Sequence, residues 1–76
     1  MAKPQTRPEY THLTELLAEL RAKAGLTQRE LAEELGVPQN TIYRMERGIR
    51  RCDTLEFIAW CRACEADPVR AYRRLL

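Results

Sequence analysis

Apolar residues recur along the chain at the three- and four-residue spacing of helices, and no stretch alternates apolar and polar residues as a strand does. The first apolar stripe predicts a helix that begins at Pro8 or Thr11 and ends at Gly25, since glycine commonly follows the last residue of a helix. Its expected inward positions are Leu13, Leu16, Leu17 and Leu20. The preceding residues 1–7 are predicted to form a flexible arm, and residues 8–76 a single domain.

Residues 27–48 contain two short helical patterns that are joined by a turn. Thr27 and Glu30 have the spacing of a capping box, in which each side chain bonds the backbone N–H of the other residue. Gly36 can adopt the left-handed conformation that a steep turn requires. The next pattern predicts a helix over residues 38–47. The expected inward positions of the two helices are Leu31, Ala32, Leu35, Ile42 and Met45.

Two further helices are predicted after Gly48. Asp53 and Glu56 have the spacing of a second capping box, and Asp67 followed by Pro68 is typical of the start of a short helix. The expected inward positions are Phe57, Cys61 and Cys64 in the fourth helix, and Val69, Tyr72 and one of Leu75 and Leu76 in the fifth. The pattern as a whole predicts an all-α fold, a compact bundle of five helices.

Composition narrows the class of protein. A chain of 76 residues with 45% apolar residues suits one small folded domain. It contains no apolar run of membrane-spanning length and no signal peptide, so we expect a cytoplasmic protein without membrane contact. The chain has no serine, and His12, its only histidine, has no catalytic partner at usable spacing, so we expect no enzyme.

The three cysteines do not indicate a metal or a redox centre. An odd count argues against a disulfide framework. Cys61 and Cys64 lie deep in a predicted helix, whereas a reactive pair of this spacing lies at a helix N-terminus, where the helix dipole lowers the thiol pKa. We expect both to be core residues, and we expect no metal, cofactor or small-molecule ligand.

Charge is distributed unevenly although the net charge is only +2. Acidic residues gather on the second helix at Glu30, Glu33 and Glu34. Four arginines gather around the end of the third helix, and arginine binds phosphates and guanine edges through a planar fork of donors. These arginines are Arg44, Arg47, Arg50 and Arg51. The uneven distribution indicates one basic face that suits DNA.

The stretch from Leu26 to Gly48 resembles the helix-turn-helix of the phage repressor and Cro family, the lambda-repressor-like or XRE-type regulators. The resemblance extends from the first helix to Pro68. It rests on Thr27-Gln28, Leu31-Ala32, Gly36, Ile42 and Glu46-Arg47-Gly48. It implies a DNA-binding transcriptional regulator of about five helices whose third helix enters the major groove. The chain departs from the family pattern at Pro38, where a capping Ser or Thr is common, and at Glu65, where glycine is common.

The resemblance and the side-chain chemistry together assign roles to the residues. Amides such as Gln39 and Asn40 can pair with adenine, Arg44 can pair with guanine, and Tyr43 can contact either a thymine methyl group or a phosphate. Glu46 matches a glutamate that supports the fold rather than binding DNA. The remaining residues are expected to contact phosphates: Thr27, Gln28, Thr41, Arg47, Arg50 and Arg51.

The expected function is that of a repressor that binds a pseudo-palindromic operator as a homodimer, with half-sites about one DNA turn apart. The fourth helix is apolar over a wide arc, which predicts either a dimer surface or burial beneath the first and fifth helices. The residues expected at a dimer surface are Leu55, Ile58, Trp60 and Tyr72. The alternative function, from another class, is an antitoxin-type interaction protein that neutralises a toxin as its protein partner.

Overall fold

The computed structural model describes residues 8–76, which form five helices and no strand. The helices are α1 Pro8–Lys23, α2 Gln28–Leu35, α3 Gln39–Glu46, α4 Thr54–Ala63 and α5 Pro68–Arg73. The all-α, five-helix prediction is therefore confirmed. The predicted flexible arm, residues 1–7, lies outside the described residues. Among the helices of residues 8–76, none is both long enough and apolar enough to cross a membrane.

Both predicted capping boxes are present. The Thr27 hydroxyl accepts a hydrogen bond from the Glu30 N–H at 3.0 Å, and the Thr27 N–H donates to Glu30 Oε1 at 2.8 Å. Asp53 and Glu56 repeat this arrangement at the start of α4, at 2.8 and 3.0 Å. Each box satisfies backbone N–H groups that a helix start otherwise leaves unpaired. These local bonds fix where α2 and α4 begin.

Helix α3 begins without a side-chain cap. Pro38, which the sequence placed inside the helix, is the residue before it, with extended backbone at φ −63° and ψ 147°. The helix therefore begins at Gln39, and it ends at Glu46 rather than at Arg47. Proline has no side-chain acceptor, so the first turn is held only by backbone bonds such as Thr41 N–H to the Pro38 carbonyl at 3.0 Å.

Helices α1 to α4 all end in the same backbone motif. A residue one or two positions after the helix takes a positive φ, and the N–H of the next residue bonds a carbonyl five positions back, as in a Schellman motif. Three of the four positive-φ residues are glycines, at 75°, 69° and 74°: Gly25, Gly36 and Gly48. The fourth is Glu65, at 57°, after which Ala66 N–H bonds the Cys61 carbonyl at 2.8 Å. Glu65 thus occupies a turn whose conformation favours glycine.

The core lies between α1, α2, α3 and α4, and α5 covers one end of it. Trp60 is fully buried at its centre, and its indole N–H donates to the Leu17 carbonyl at 3.0 Å. Cys61 and Cys64 are buried beside it, as the sequence predicted. The buried set comprises Leu16, Leu17, Leu20, Leu31, Ala32, Ile42, Met45, Phe57, Trp60, Cys61, Cys64 and Ala71.

The predicted inward positions of α5 are wrong for Val69 and Tyr72, and Leu75 is confirmed. Val69 and Tyr72 are 60% and 56% exposed, whereas Ala71 is buried and Leu75 packs against the core. Helical spacing is shared by Val69 with Tyr72 and by Ala71 with Leu75. The sequence pattern favoured Val69 and Tyr72 over Ala71 because their side chains are larger. The small Ala71 side chain instead faces the core, which leaves Val69 and Tyr72 as exposed apolar side chains on the surface of α5.

Candidate nucleic-acid interface

The outer face of α3 carries polar side chains that the rest of the domain leaves uncovered. Ile42 and Met45 are buried, and they fix the inner face of the helix on the core. The four residues predicted to contact bases are all exposed: Gln39, Asn40, Tyr43 and Arg44. Within residues 8–76, the side chains of Gln39, Asn40 and Arg44 make no hydrogen bond or ion pair, so their donors and acceptors are available to a ligand.

A partly buried ion pair connects α3 to the rest of the bundle. Glu46, with a side chain that is only 7% exposed, accepts hydrogen bonds from Arg21 Nε at 2.6 Å and Arg21 Nη2 at 3.1 Å. Arg21 Nη1 donates to the Leu26 carbonyl at 2.9 Å, and Gln28 Nε2 donates to Glu46 Oε1 at 3.0 Å. The bond to Glu46 raises the pKa of Arg21. The network ties α3 to both α1 and α2, so the supporting role predicted for Glu46 is confirmed.

Three predicted phosphate-contacting residues lie on α2 and α3. The Thr27 hydroxyl oxygen is occupied as the cap of α2, but its O–H can still donate. Gln28 uses one amide N–H on Glu46 and retains the other. Thr41 lies half-buried in α3. Thr27 and Gln28 therefore each combine a structural bond with a donor that remains for a ligand.

The loop after α3 carries the arginine cluster. Arg47 Cζ lies 5.8 Å from the centroid of the Tyr43 ring, within the range of a cation–π contact. Arg51 is exposed, whereas the Arg50 guanidinium is paired with Glu56 at 2.8 Å. Three arginines that look alike in the sequence thus have three different environments.

The backbone of this loop is anchored at Cys52. The Cys52 N–H donates to the Tyr10 hydroxyl at 2.9 Å, which joins the loop to α1. Burial raises the pKa of the Cys52 thiol to about 12, so this half-buried side chain stays neutral. This bond could not be predicted from the sequence because the two residues are 42 positions apart. No local pattern signals such a pair.

The predicted dimer residues do not share one surface. Trp60 was wrongly predicted to lie at a dimer surface, because its ring is fully buried and its N–H is bonded inside the core. Leu55, which is 76% exposed, and Ile58 line a groove between α2 and α4. Tyr72 lines a different groove of about 640 Å³ between α1 and α5.

No metal centre accompanies these features. Within the described residues 8–76, no three His, Cys, Asp or Glu side chains come together as a set that could hold a metal ion. Cys61 and Cys64 lie in the core, where burial raises the pKa of both thiols and disfavours the thiolate that binds metals.

The α2–turn–α3 unit, with its uncovered polar helix and adjacent arginines, defines a helix-turn-helix DNA-binding protein. A family model of the helix-turn-helix domain matches residues 12–73. An XRE-family like protein from Pseudomonas syringae pv. tomato is 42% identical, with a TM-score of 0.83, over 88% of this chain and 82% of that one. The chain belongs to the XRE family of helix-turn-helix regulators.

A second solved structure has the same fold. The clp gene regulator ClgR from C. glutamicum is 26% identical, with a TM-score of 0.80, over 91% of this chain and 90% of that one. No curated protein matches the sequence. Family and fold together make this chain a DNA-binding transcriptional regulator.

Proposed function

We propose that the protein is a repressor that binds a pseudo-palindromic operator as a homodimer in the cytoplasm, with α3 of each copy in the major groove. The observation that carries the proposal is the outer face of α3, where Gln39, Asn40 and Arg44 have no partner among the described residues. A face of unpaired amide and guanidinium groups suits base edges. A repressor of this kind excludes polymerase by occupying the operator.

The side chains divide between bases and phosphates. Arg44 would form a bidentate pair with guanine, and Gln39 or Asn40 with adenine, each worth about 1–3 kcal/mol of discrimination. Tyr43 would contact a base at the edge of the groove while its ring holds the Arg47 guanidinium toward the backbone. The residues proposed to bind phosphates are Thr27, Gln28, Thr41, Arg47 and Arg51.

Sequence specificity is tested by selecting bound duplexes from a random pool. We expect a pseudo-palindrome with half-sites about one DNA turn, ~34 Å, apart. Arg44→Ala should then lose preference at one base pair of each half-site, while Arg51→Ala should weaken selected and random duplexes by the same factor. Equal losses on both duplexes from Arg44→Ala would contradict base reading. A pool without any enriched sequence would favour the antitoxin-type alternative.

For the dimer, we propose that the second copy docks on the groove between α1 and α5. Tyr10, Leu13 and Tyr72 supply an apolar floor, and Glu9 and Arg51 supply opposite charges at its edges. In a two-fold interface the same patch meets itself, so the apolar floors of the two copies would pack against each other.

Sedimentation equilibrium without DNA tests this surface. Tyr72→Asp should shift the protein toward monomer, whereas Leu55→Asp, on the separate α2–α4 groove, serves as the matched control and should not. The opposite pattern, with loss from Leu55→Asp alone, would assign the dimer to the α2–α4 groove.

A further inference from the structure

The guanidinium of Arg50 bridges the loop after α3 and the first turn of α4. Its Nη1 donates to the Arg51 carbonyl at 2.9 Å and to Glu56 Oε1 at 3.1 Å. Its Nη2 donates to Glu56 Oε2 at 2.8 Å. A guanidinium has five N–H groups, so three of them are used within the protein. The sequence predicted that this side chain contacts a phosphate.

We propose that Arg50 is a positioning residue for DNA binding, which remains on Glu56 in the complex and holds the loop while Arg51 contacts the phosphate. The inference rests on the proposed phosphate contacts of this loop. Arg50 and Arg51 then have different roles, because the charge of Arg50 is paired with Glu56 and that of Arg51 is unpaired.

Electrostatics supports this division. The Glu56 carboxylate is hydrogen-bonded to the Arg50 guanidinium, and together they carry no net charge. The Glu56 carboxylate would also repel an approaching phosphate. The pairing lowers the pKa of Glu56 and raises that of Arg50. Moving Arg50 onto DNA would break two charge-assisted bonds and leave the Glu56 carboxylate unpaired beside the phosphates.

The connectivity shows what the pair holds. Glu56 Oε1 also accepts the Asp53 N–H at 3.0 Å, so the carboxylate that binds Arg50 is part of the cap of α4. On the other side, the Cys52 N–H is bonded to the Tyr10 hydroxyl. The Arg51 backbone is therefore fixed between α4 and α1, with its carbonyl bonded directly to Arg50. This limits the directions that the Arg51 side chain can take.

Salt dependence of DNA binding distinguishes a phosphate contact from a positioning role. Each phosphate contact contributes about 0.9 to the slope of log affinity against log salt concentration. The probe is a fluorescent random-sequence duplex of roughly 20 base pairs, since two half-sites lie about one turn apart. The double variant Arg50→Gln/Glu56→Gln replaces one neutral pair by another whose amides can still bond each other, so the loop stays held while the arginine charge is removed. Arg51→Gln is the matched control.

We expect the double variant to keep the wild-type salt slope, and Arg51→Gln to lose about 0.9 of it. A loss of about 0.9 in the double variant as well would overturn the inference, because Arg50 would then be a phosphate contact. If Arg51→Gln leaves the slope unchanged, the proposed phosphate contact of the loop fails while the loop-holding role remains to be decided by the next measurement.

Amide hydrogen exchange in the free protein tests, without DNA, whether Arg50 holds the loop. Arg50→Lys keeps the charge, but an ammonium group lacks the planar fork of donors that bonds both Glu56 oxygens and the Arg51 carbonyl. We expect the Cys52 amide to exchange about two- to fivefold faster in this variant, the range that an exposed ion pair supports. Unchanged exchange, with the same helical content by circular dichroism, would overturn the inference whatever the DNA measurements give.

Discussion

Glu65 tests how a left-handed backbone conformation limits stability, because glycines at the other three helix ends serve as controls within the same domain. Its φ of 57° lies in the left-handed region, which costs a residue with a Cβ roughly 1–2 kcal/mol. Glycine avoids that cost but loses about 0.5–1 kcal/mol through the greater entropy of the unfolded chain. Glu65→Gly should therefore raise the free energy of unfolding by about 0.5–1 kcal/mol. For a domain of this size that is a rise in Tm of about 2–8 °C.

Two variants separate the backbone effect from loss of the carboxylate. Glu65→Ala also removes the side-chain atoms beyond Cβ but retains the Cβ, so it should not raise the Tm. Gly36→Ala is the reciprocal change: a Cβ there meets nothing within 4 Å, so only the backbone conformation at φ 69° opposes it. It should lower stability by about 1 kcal/mol. If Glu65→Gly and Glu65→Ala shift the Tm equally, or if neither does, strain at this turn is not the cause.

Three further predictions concern the core and its thiols. Glu46→Gln should lower the free energy of unfolding in urea by about 2 kcal/mol, because the Arg21 charge loses its partner in a mostly buried site. Trp60→Phe should cost about 1–3 kcal/mol by the same assay, since it leaves a buried carbonyl without the indole donor. Burial raises the pKa of Cys52 to about 12 and of Cys64 to about 11 from 9.0, so the stability they contribute is complete below pH 9 and is lost as the pH rises through 11 to 12. Replacing both with Ala should flatten the decline of stability above pH 9; an unaltered decline would mean that other groups cause it.

The parts of the fold that could be predicted are those encoded within a few residues. Capping boxes, apolar stripes and turn glycines act over three to seven positions, so Thr27, Asp53 and Gly36 could be assigned from their neighbours alone. The face of α5 could not, because Ala71 and Tyr72 are both compatible with a helix of six residues. Which of them is buried depends on how closely the helix packs against the core, and that is a property of the whole bundle.

The candidate site divides in the same way. The side chains available to bases could be predicted, because the inward positions Ile42 and Met45 determine the outward ones on an eight-residue helix. The bonds that orient this helix could not, since Arg21 and Glu46 are 25 positions apart. Nor does any spacing rule indicate that Arg50, in the loop, binds Glu56 six positions later in α4. Pairs of charged residues that are far apart in the sequence can be identified only from the tertiary structure.

Under the proposed function, these long-range bonds make base recognition by α3 depend on side chains whose bonds lie within the protein. A helix of eight residues is too short to be stable alone, so the order of α3 comes from its packing and from the Glu46 network. If Glu46 loses Arg21 and Gln28, the angle of α3 is no longer fixed from both sides, and every base contact weakens together. Loss of Arg44 removes one contact only. Profiles of base preference should therefore flatten across the whole half-site for Glu46→Gln and at a single position for Arg44→Ala.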